Sequence, residues 1–115
     1  MAVIASGTIT PVAIGTEELV TSQTAAGYYL ASFNLANMAD GDEVEFTIRM
    51  KVLPTETLAV GASAGIVYRL PVTYQDALAN PVILLPPLHS EHEFMLAINQ
   101  TAGVAKAFAW SVDSP

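Results

Sequence analysis

The chain has 115 residues, the size of one domain with one core, and contains no cysteine, which excludes disulfides, thiolate nucleophiles and cysteine-ligated zinc. Eleven carboxylates outnumber four scattered cations, Arg49, Lys51, Arg69 and Lys106, for a net charge of −7, so we expect neither nucleic acid nor an anionic membrane as a partner. Only 13% of residues are charged and 52% are hydrophobic, which predicts surplus apolar surface and therefore an interface, with a monomer whose surface is rich in Thr and Ala as the alternative.

Residues 1–16 are rich in Ala, Ile and Thr, and we predict that they form an N-terminal arm or first strand ahead of a sandwich domain at 17–115. Pro11 interrupts the apolar run and no basic residue precedes it, so we expect no export signal and no membrane-spanning segment. An extended arm of this kind is suited to reach a neighbouring chain by strand addition.

Alternation with a period of two is the dominant pattern in the chain. In its best example, 43–52, one predicted face contacts water and carries Thr47 and Arg49, whereas the other is apolar and consists of Val44, Phe46, Ile48, Met50 and Val52. The complete set of predicted strands is 8–14, 17–22, 28–35, 43–52, 66–74, 81–85, 93–100 and 105–112.

Turn-forming residues separate these strands, and 37–39 is predicted to form a single helical turn. Pro71 lacks a backbone N–H, which predicts an edge strand or a bulge in 66–74. About eight short strands without crossover helices predict an all-β fold, an antiparallel two-sheet β-sandwich of the jelly-roll kind.

The segment 61–65, Gly-Ala-Ser-Ala-Gly, matches the G-x-S-x-G pattern that places a nucleophilic serine, here Ser63. That motif requires a sharp turn from a strand into a helix within a parallel α/β sheet. A strand-rich segment follows instead, so we interpret 61–65 as a loop of small residues. No other nucleophile and base are suitably spaced, and we expect neither catalysis nor a cofactor.

His89 and His92 stand three residues apart beside Glu91 and Glu93, a composition that suits zinc or nickel. No third ligand follows at a recognisable spacing, so these histidines are weak metal candidates and a solvated acidic loop is the favoured interpretation. A pH-sensing pair is a further alternative, because nearby carboxylates raise a histidine pKa.

The acidic segment Asp40-Gly41-Asp42-Glu43 has oxygen ligands that suit calcium. Further spaced ligands and a closing bidentate acid are absent from the sequence, and Asp-Gly is a strong turn signal, so we predict a tight turn.

Five aromatic residues suit a platform on which sugars stack, and they are Tyr28, Tyr29, Tyr68, Tyr74 and Trp110. Most fall on the apolar side of a predicted strand, which favours a place in the core instead.

The segment 25–44, AAGYYLASFNLANMADGDEV, resembles a group of small structural proteins of tailed bacteriophages whose shared pattern is T-x-A-G-x-Y-x-x-x-x-x-L-x-x-M-A-x-G-D. The segment QTAG at 100–103, followed by FAWS at 108–111, is similar to the closing pattern of that group, Q-T-A-G-x-x-x-x-F-x-W. The resemblance spans about 15–112 and consists mostly of turn and core residues. Residues 54–65 are an insertion relative to the group.

The resemblance implies a virion component, made in the host cytoplasm, with no catalytic residues. Within that class we expect a capsid decoration or cement protein, located on the capsid surface and bound to the lattice of the major capsid protein. Self-association is expected, with a trimer at capsid three-fold positions favoured. A tail or head–tail subunit and a carbohydrate-binding or host-adhesion module remain as alternatives.

Overall fold

The structure, a computed structural model, describes residues 2–114, which form nine strands and one short helix. Their bounds are β1 Ala2–Ile9, β2 Glu18–Gln23, β3 Gly27–Asn34, β4 Glu43–Met50, β5 Ile66–Thr73, α1 Tyr74–Ala79, β6 Val82–Leu84, β7 Leu88–Ser90, β8 Phe94–Ala102 and β9 Phe108–Ser114. All strand pairs in this range are antiparallel, and the strands form two sheets. The predicted all-β sandwich is confirmed.

Strand order identifies the topology of the sandwich. The first sheet has the order β1-β9-β3-β6, with β7 paired to the other half of β3, and the second has the order β2-β8-β4-β5. If β6 and β7 count as one interrupted strand, this is the order of an eight-stranded jelly roll. The predicted jelly-roll arrangement is therefore confirmed, and the additional strand is the three-residue β7. Pro71 lies in β5, which is an edge strand as predicted.

Aromatic side chains from both sheets fill the space between them. The ring centroids of Phe33 and Phe46 lie 4.1 Å apart, and those of Tyr29 and Phe94 lie 4.8 Å apart. Phe108 joins them in a continuous buried cluster. Each such side chain contributes about 2–3 kcal/mol by leaving water, so this core is the main source of stability.

The predicted first strand is wrong in its bounds. Strand β1 begins at Ala2 and ends at Ile9, whereas 8–14 was expected. It pairs with β9 of the same chain, and β9 itself extends to Ser114, two residues beyond its predicted end. Pro11 and Gly15, with a positive φ of 86°, lie in the connection to β2 and are incompatible with a continuous ladder there. Met1 and Pro115, the ends of the predicted arm and domain, lie outside the described residues.

Helix α1 was not expected, and the predicted helical turn at 37–39 is a hydrogen-bonded turn in which Met38 N–H donates to Leu35 O at 3.1 Å. Thr73 is the N-cap residue of α1, and both its N–H and its hydroxyl donate to the Asp76 carboxylate. This local cap stops β5 one residue before its predicted end at Tyr74.

None of the described residues, 2–114, forms a helix with the length and hydrophobicity that a membrane span requires.

The part of the outer face of β4 that carries Thr47 and Arg49 is buried, which corrects the prediction that these two residues contact water. Each has a relative exposure of 1%. The irregular segment 51–65, which includes the insertion predicted at 54–65, folds back over Arg49, whose guanidinium donates twice to Ala62 O, at 2.6 and 3.1 Å. Val52, predicted to face the core, is instead an exposed residue of this segment.

A buried ion pair anchors the segment 51–65. Arg49 Nη2 lies 2.7 Å from Glu17 Oε1, which also accepts a 2.6 Å hydrogen bond from Gly61 N–H. Burial alone would raise the pKa of Glu17, but the hydrogen bonds and charge of Arg49 together with the Gly61 N–H hold that pKa below its ordinary value. The chain thus covers the part of the four-stranded sheet around Arg49 with its own loop.

Candidate functional site

The G-x-S-x-G segment lies in the loop that covers the four-stranded sheet. Ser63 is exposed between β4 and β5, and a strand, not a helix, follows Gly65. Within this segment Ala62 makes the structural contact, because its carbonyl accepts two hydrogen bonds from the Arg49 guanidinium. The geometry therefore matches a loop and lacks the strand-to-helix turn that exposes a nucleophile.

The two candidate histidines have different surroundings. His89 is on β7, where its ring lies 4.7 Å from the ring of Tyr28 and its Nε2 lies 3.2 Å from Glu91 Oε1. His92 follows in the bend after β7. Among residues 2–114, no group of three or more His, Asp or Glu side chains is arranged to hold a metal ion.

Asp42 connects the turn before β4 to the turn between β8 and β9. Its Oδ2 accepts the Ala39 N–H at 2.8 Å and lies 3.1 Å from Lys106 Nζ, while its Oδ1 accepts the Val104 N–H at 3.0 Å. Burial alone would raise the pKa of Asp42, but these donors and the Lys106 charge hold it below its ordinary value. Two backbone N–H groups and Lys106 of the same chain therefore occupy the oxygens of this carboxylate. Asp40 and Gly41 form a turn, as predicted.

The two motifs that carry the phage resemblance meet at this point. Gln100 donates to Val104 O at 2.6 Å and accepts the Lys106 N–H at 3.1 Å, beside Asp42. Gly103 has a φ of 91°, and a Cβ there would lie 2.7 Å from the Asp42 Cα. Packing between two turns thus explains why position 103 is a glycine and position 42 is an aspartate.

The aromatic residues do not form the platform considered from the sequence. Tyr29 is buried, and Tyr68, Tyr74 and Trp110 are partly buried against the core. Tyr28 alone among them projects from the sandwich, with a relative exposure of 60%. Of these five residues, only Tyr28 is exposed enough to stack on a ligand, and its ring contacts that of His89.

The outer face of the five-stranded sheet is not covered by the chain. Side chains directly opposite one another in antiparallel strands share a face, so strand pairing identifies its members. We call this surface the open face, and it consists of Val3, Ser6, Thr8, Tyr28, Leu30, Ser32, Asn34, Val82, Leu84, His89, Ala109, Ser111 and Asp113. None of these residues is buried.

The open face carries large exposed apolar side chains among its polar residues, whereas the outer face of an antiparallel sheet is commonly polar. Leu84 is 66% exposed, and Val3 and Val82 project from the two edge strands on either side. Small Ser and Ala side chains occupy the centre and leave a shallow depression there, lined by Ser32, Asn34, Val82, Ala109 and Ser111. Asp113, which accepts a 2.7 Å hydrogen bond from Ser111, is the one carboxylate of this face.

The positive charges are already neutralised within the chain. Arg49, Lys51, Arg69 and Lys106 each lie within 4 Å of a carboxylate, at distances of 2.7, 3.1, 3.9 and 3.1 Å. No cluster of free cations is therefore present in the described part of the chain to bind phosphate groups. The open face combines exposed apolar side chains with a single carboxylate, Asp113.

Sequence patterns did not identify the open face. The segment that contributes Val82 and Leu84 is only three residues long, too short to show which residues face outward. Only its pairing with β3 places these side chains beside Ser32 and Asn34.

No family model, no curated protein and no solved structure matches this chain. The phage resemblance noted in the sequence therefore remains an expectation. The open face is assigned as the candidate functional site from its own composition, exposure and position.

Proposed function

We propose that this chain is a structural protein of a tailed-bacteriophage virion, a capsid decoration or cement protein that docks its open face on the assembled head. The exposed apolar open face is the observation that carries the proposal. The phage resemblance supplies the class of assembly, and jelly-roll sandwiches also occur among viral capsid proteins, which is an analogy of fold. In this role the protein is located on the capsid surface and its partner is the lattice of the major capsid protein.

The asymmetry between the two sheets supports docking through one face. The segment 51–65 covers the part of the four-stranded sheet where Thr47 and Arg49 are buried, whereas the five-stranded sheet has no such cover and keeps Tyr28, Val82 and Leu84 in contact with water. Burying apolar side chains of this size yields about 1.5–3 kcal/mol each. A partner surface that covers the open face therefore gains binding energy without having to displace any part of the chain.

Docking of this kind strengthens a shell without any chemistry. A protein that binds assembled subunits but not free ones adds its binding free energy to the stability of the assembly, about 2.7 kcal/mol per site at a hundredfold excess over Kd. Neighbouring sites on a symmetric lattice add avidity if the bound copies also contact one another. We accordingly propose a role that needs no catalysis, cofactor, nucleic acid or membrane.

Co-sedimentation with expanded empty capsids of the virus that encodes the chain tests the proposal. Val82→Asp places a carboxylate in the open face, and we expect it to raise Kd at least about tenfold. Val67→Asp is the matched control, because Val67 is an exposed valine on edge strand β5 of the other sheet. We expect the control to bind as wild type does, and capsids carrying bound wild-type protein to melt at a higher temperature than bare capsids.

Three results would contradict the proposal. Wild-type protein that stays in the supernatant with expanded capsids argues against decoration. Antibody labelling of virions on the tail favours the tail or head–tail alternative. Binding to a glycan array that Tyr28→Ala abolishes favours the carbohydrate-binding alternative, since Tyr28 and His89 form the exposed aromatic pair.

A further inference from the structure

Strand β1 forms one edge of the five-stranded sheet and has no partner on its outer side within residues 2–114. Its sequence, AVIASGTI, contains neither a charge nor a proline over eight residues. Most of its side chains are exposed, and Val3 is 64% exposed. An edge of this kind presents free N–H and C=O groups that readily pair with another strand.

The other three edges carry features that disfavour such pairing. Strand β5 contains Pro71 and Arg69, which remove a donor and add a charge. Strand β2 begins with Glu18, which adds a charge to that edge. Strands β6 and β7 have three residues each, and Pro86 follows closely after β6. Protection at these edges leaves β1 as the one long uncharged edge in the described chain.

We propose that β1 is a self-association site, at which it pairs antiparallel with β1 of a second copy about a twofold axis. The two five-stranded sheets then form one continuous sheet, and the open faces lie side by side. The strand pairing does not rest on the proposed capsid docking, because it uses the edge and leaves the face free.

Charge favours a second copy as the occupant of this edge. Each chain carries a net charge of −7, so most approaches between two copies bring carboxylates together. At β1 two copies meet without any charged side chain on either strand. An isologous contact also requires a self-complementary surface, and two identical antiparallel strands meet that requirement.

The faces of the sheet restrict the register of the pair. Facing residues in an antiparallel pair point to the same side, so residues of the open face must oppose each other. The register irregularity of β1 lies between Val3 and Ala5, which leaves 5–9 as the regular part of the strand, centred on Gly7. A twofold axis beside Gly7 satisfies both conditions, because it brings Ser6 opposite Thr8 of the partner subunit and makes the two Ser6 residues diagonal neighbours on the open face.

If the open face docks as proposed above, its size gives a further reason for two copies, and this one reason rests on the proposed function. Four strands spaced about 4.8 Å apart and about seven residues long cover an area of about 450 Å². Specific interfaces usually bury about 800 Å² on each partner. Two copies joined through β1 present about 900 Å² of continuous surface, which reaches that size.

Sedimentation equilibrium on the purified full chain, without capsids, tests the proposal. We expect a mass of about twice the 12.1 kDa of one chain in the micromolar range. Ser6→Lys and Ser6→Glu each place like charges at diagonal positions about 7–8 Å apart across the twofold axis, and each should raise the dimer dissociation constant at least about fivefold. An equimolar mixture of the two variants places Lys diagonal to Glu, and we expect it to recover the two-chain mass.

Val67→Lys is the control, since it adds the same charge at an edge that already contains Arg69, and it should leave the mass unchanged. Far-UV circular dichroism shows whether each variant is folded. A single-chain mass for the wild type at high micromolar concentration overturns the proposal, and so does a three-chain mass. A two-chain mass that Ser6→Lys does not weaken, or a mixture that fails to recover the pair, also overturns it.

Discussion

Replacing Glu17 by alanine tests whether one buried ion pair holds the segment 51–65 over the four-stranded sheet. The side chains of Arg49 and Glu17 are 1% and 11% exposed, and removing one partner from a buried pair costs about 3–5 kcal/mol. Ala62 O still accepts two hydrogen bonds from Arg49 in the variant, so we expect the lower end of that range, about 3 kcal/mol.

Thermal and urea unfolding at pH 7, followed by circular dichroism, measure this loss. For a domain of this size 1 kcal/mol corresponds to about 4 °C, so the midpoint should fall by about 12 °C. Glu45→Ala is the control, because Glu45 pairs with Arg69 at 3.9 Å in an exposed position and should cost at most about 1 kcal/mol. A Glu17→Ala variant as stable as Glu45→Ala would refute the anchoring role.

The double variant Glu17→Ala, Arg49→Met separates a buried charge from lost packing. Removing both charges leaves no unpaired guanidinium, so we expect the double variant to be more stable than Glu17→Ala alone. Equal or lower stability of the double variant would contradict the reasoning.

The same pair predicts a pH dependence. The pKa of Glu17 is lower in the folded chain than its ordinary value of 4.5, so the unfolded chain binds this proton more tightly. The stabilisation is therefore complete above about pH 4.5 and is lost as pH falls through the folded pKa. Unfolding free energies measured from pH 7 to pH 3 should decline less in Glu17→Ala than in the wild type, and parallel curves would contradict this assignment.

Three further predictions test separate parts of the structure by urea unfolding. Gly103→Ala should lower the free energy of unfolding by at least about 2 kcal/mol, because its Cβ meets Asp42. Gly41→Ala is its control, with a similar φ of 92° and open space around it, and should cost about 1 kcal/mol; equal losses would contradict the contact at Gly103. Phe46→Ala should cost about 3–5 kcal/mol because it empties the centre of the core, and a loss below 1 kcal/mol would contradict that position. Leu84→Asp should change stability by at most about 0.5 kcal/mol, because Leu84 faces water, and a larger loss would mean that the chain itself uses this side chain.

Much of the fold follows from the alternation of apolar residues. Phe46 and Ile48 face the core as predicted, because a strand with one buried face repeats every two residues. The same pattern placed Arg49 in water, and this was wrong because the segment 51–65, which follows β4, folds back over its face. A two-residue period reports which side chains share a face, and it carries no information on what covers the second face.

Short elements escaped prediction for a related reason. Strand β7 has three residues and helix α1 has six, which is less than the span over which a period becomes visible. Strand β1 was misplaced because its Ala, Ser and Gly residues form no apolar alternation, and its pairing with β9 decides its bounds. The open face was equally hidden, since Leu84 and Ser32 become neighbours only when β6 pairs with β3.

Image reconstruction of expanded capsids saturated with the protein tests the docking role most directly. At a resolution that separates the two sheets, we predict density for the sandwich on the outside of the shell, with Tyr28, Val82 and Leu84 turned toward the capsid subunits. A reconstruction in which the open face points to solvent while the segment 51–65 contacts the shell, or one without added density, would contradict the proposal.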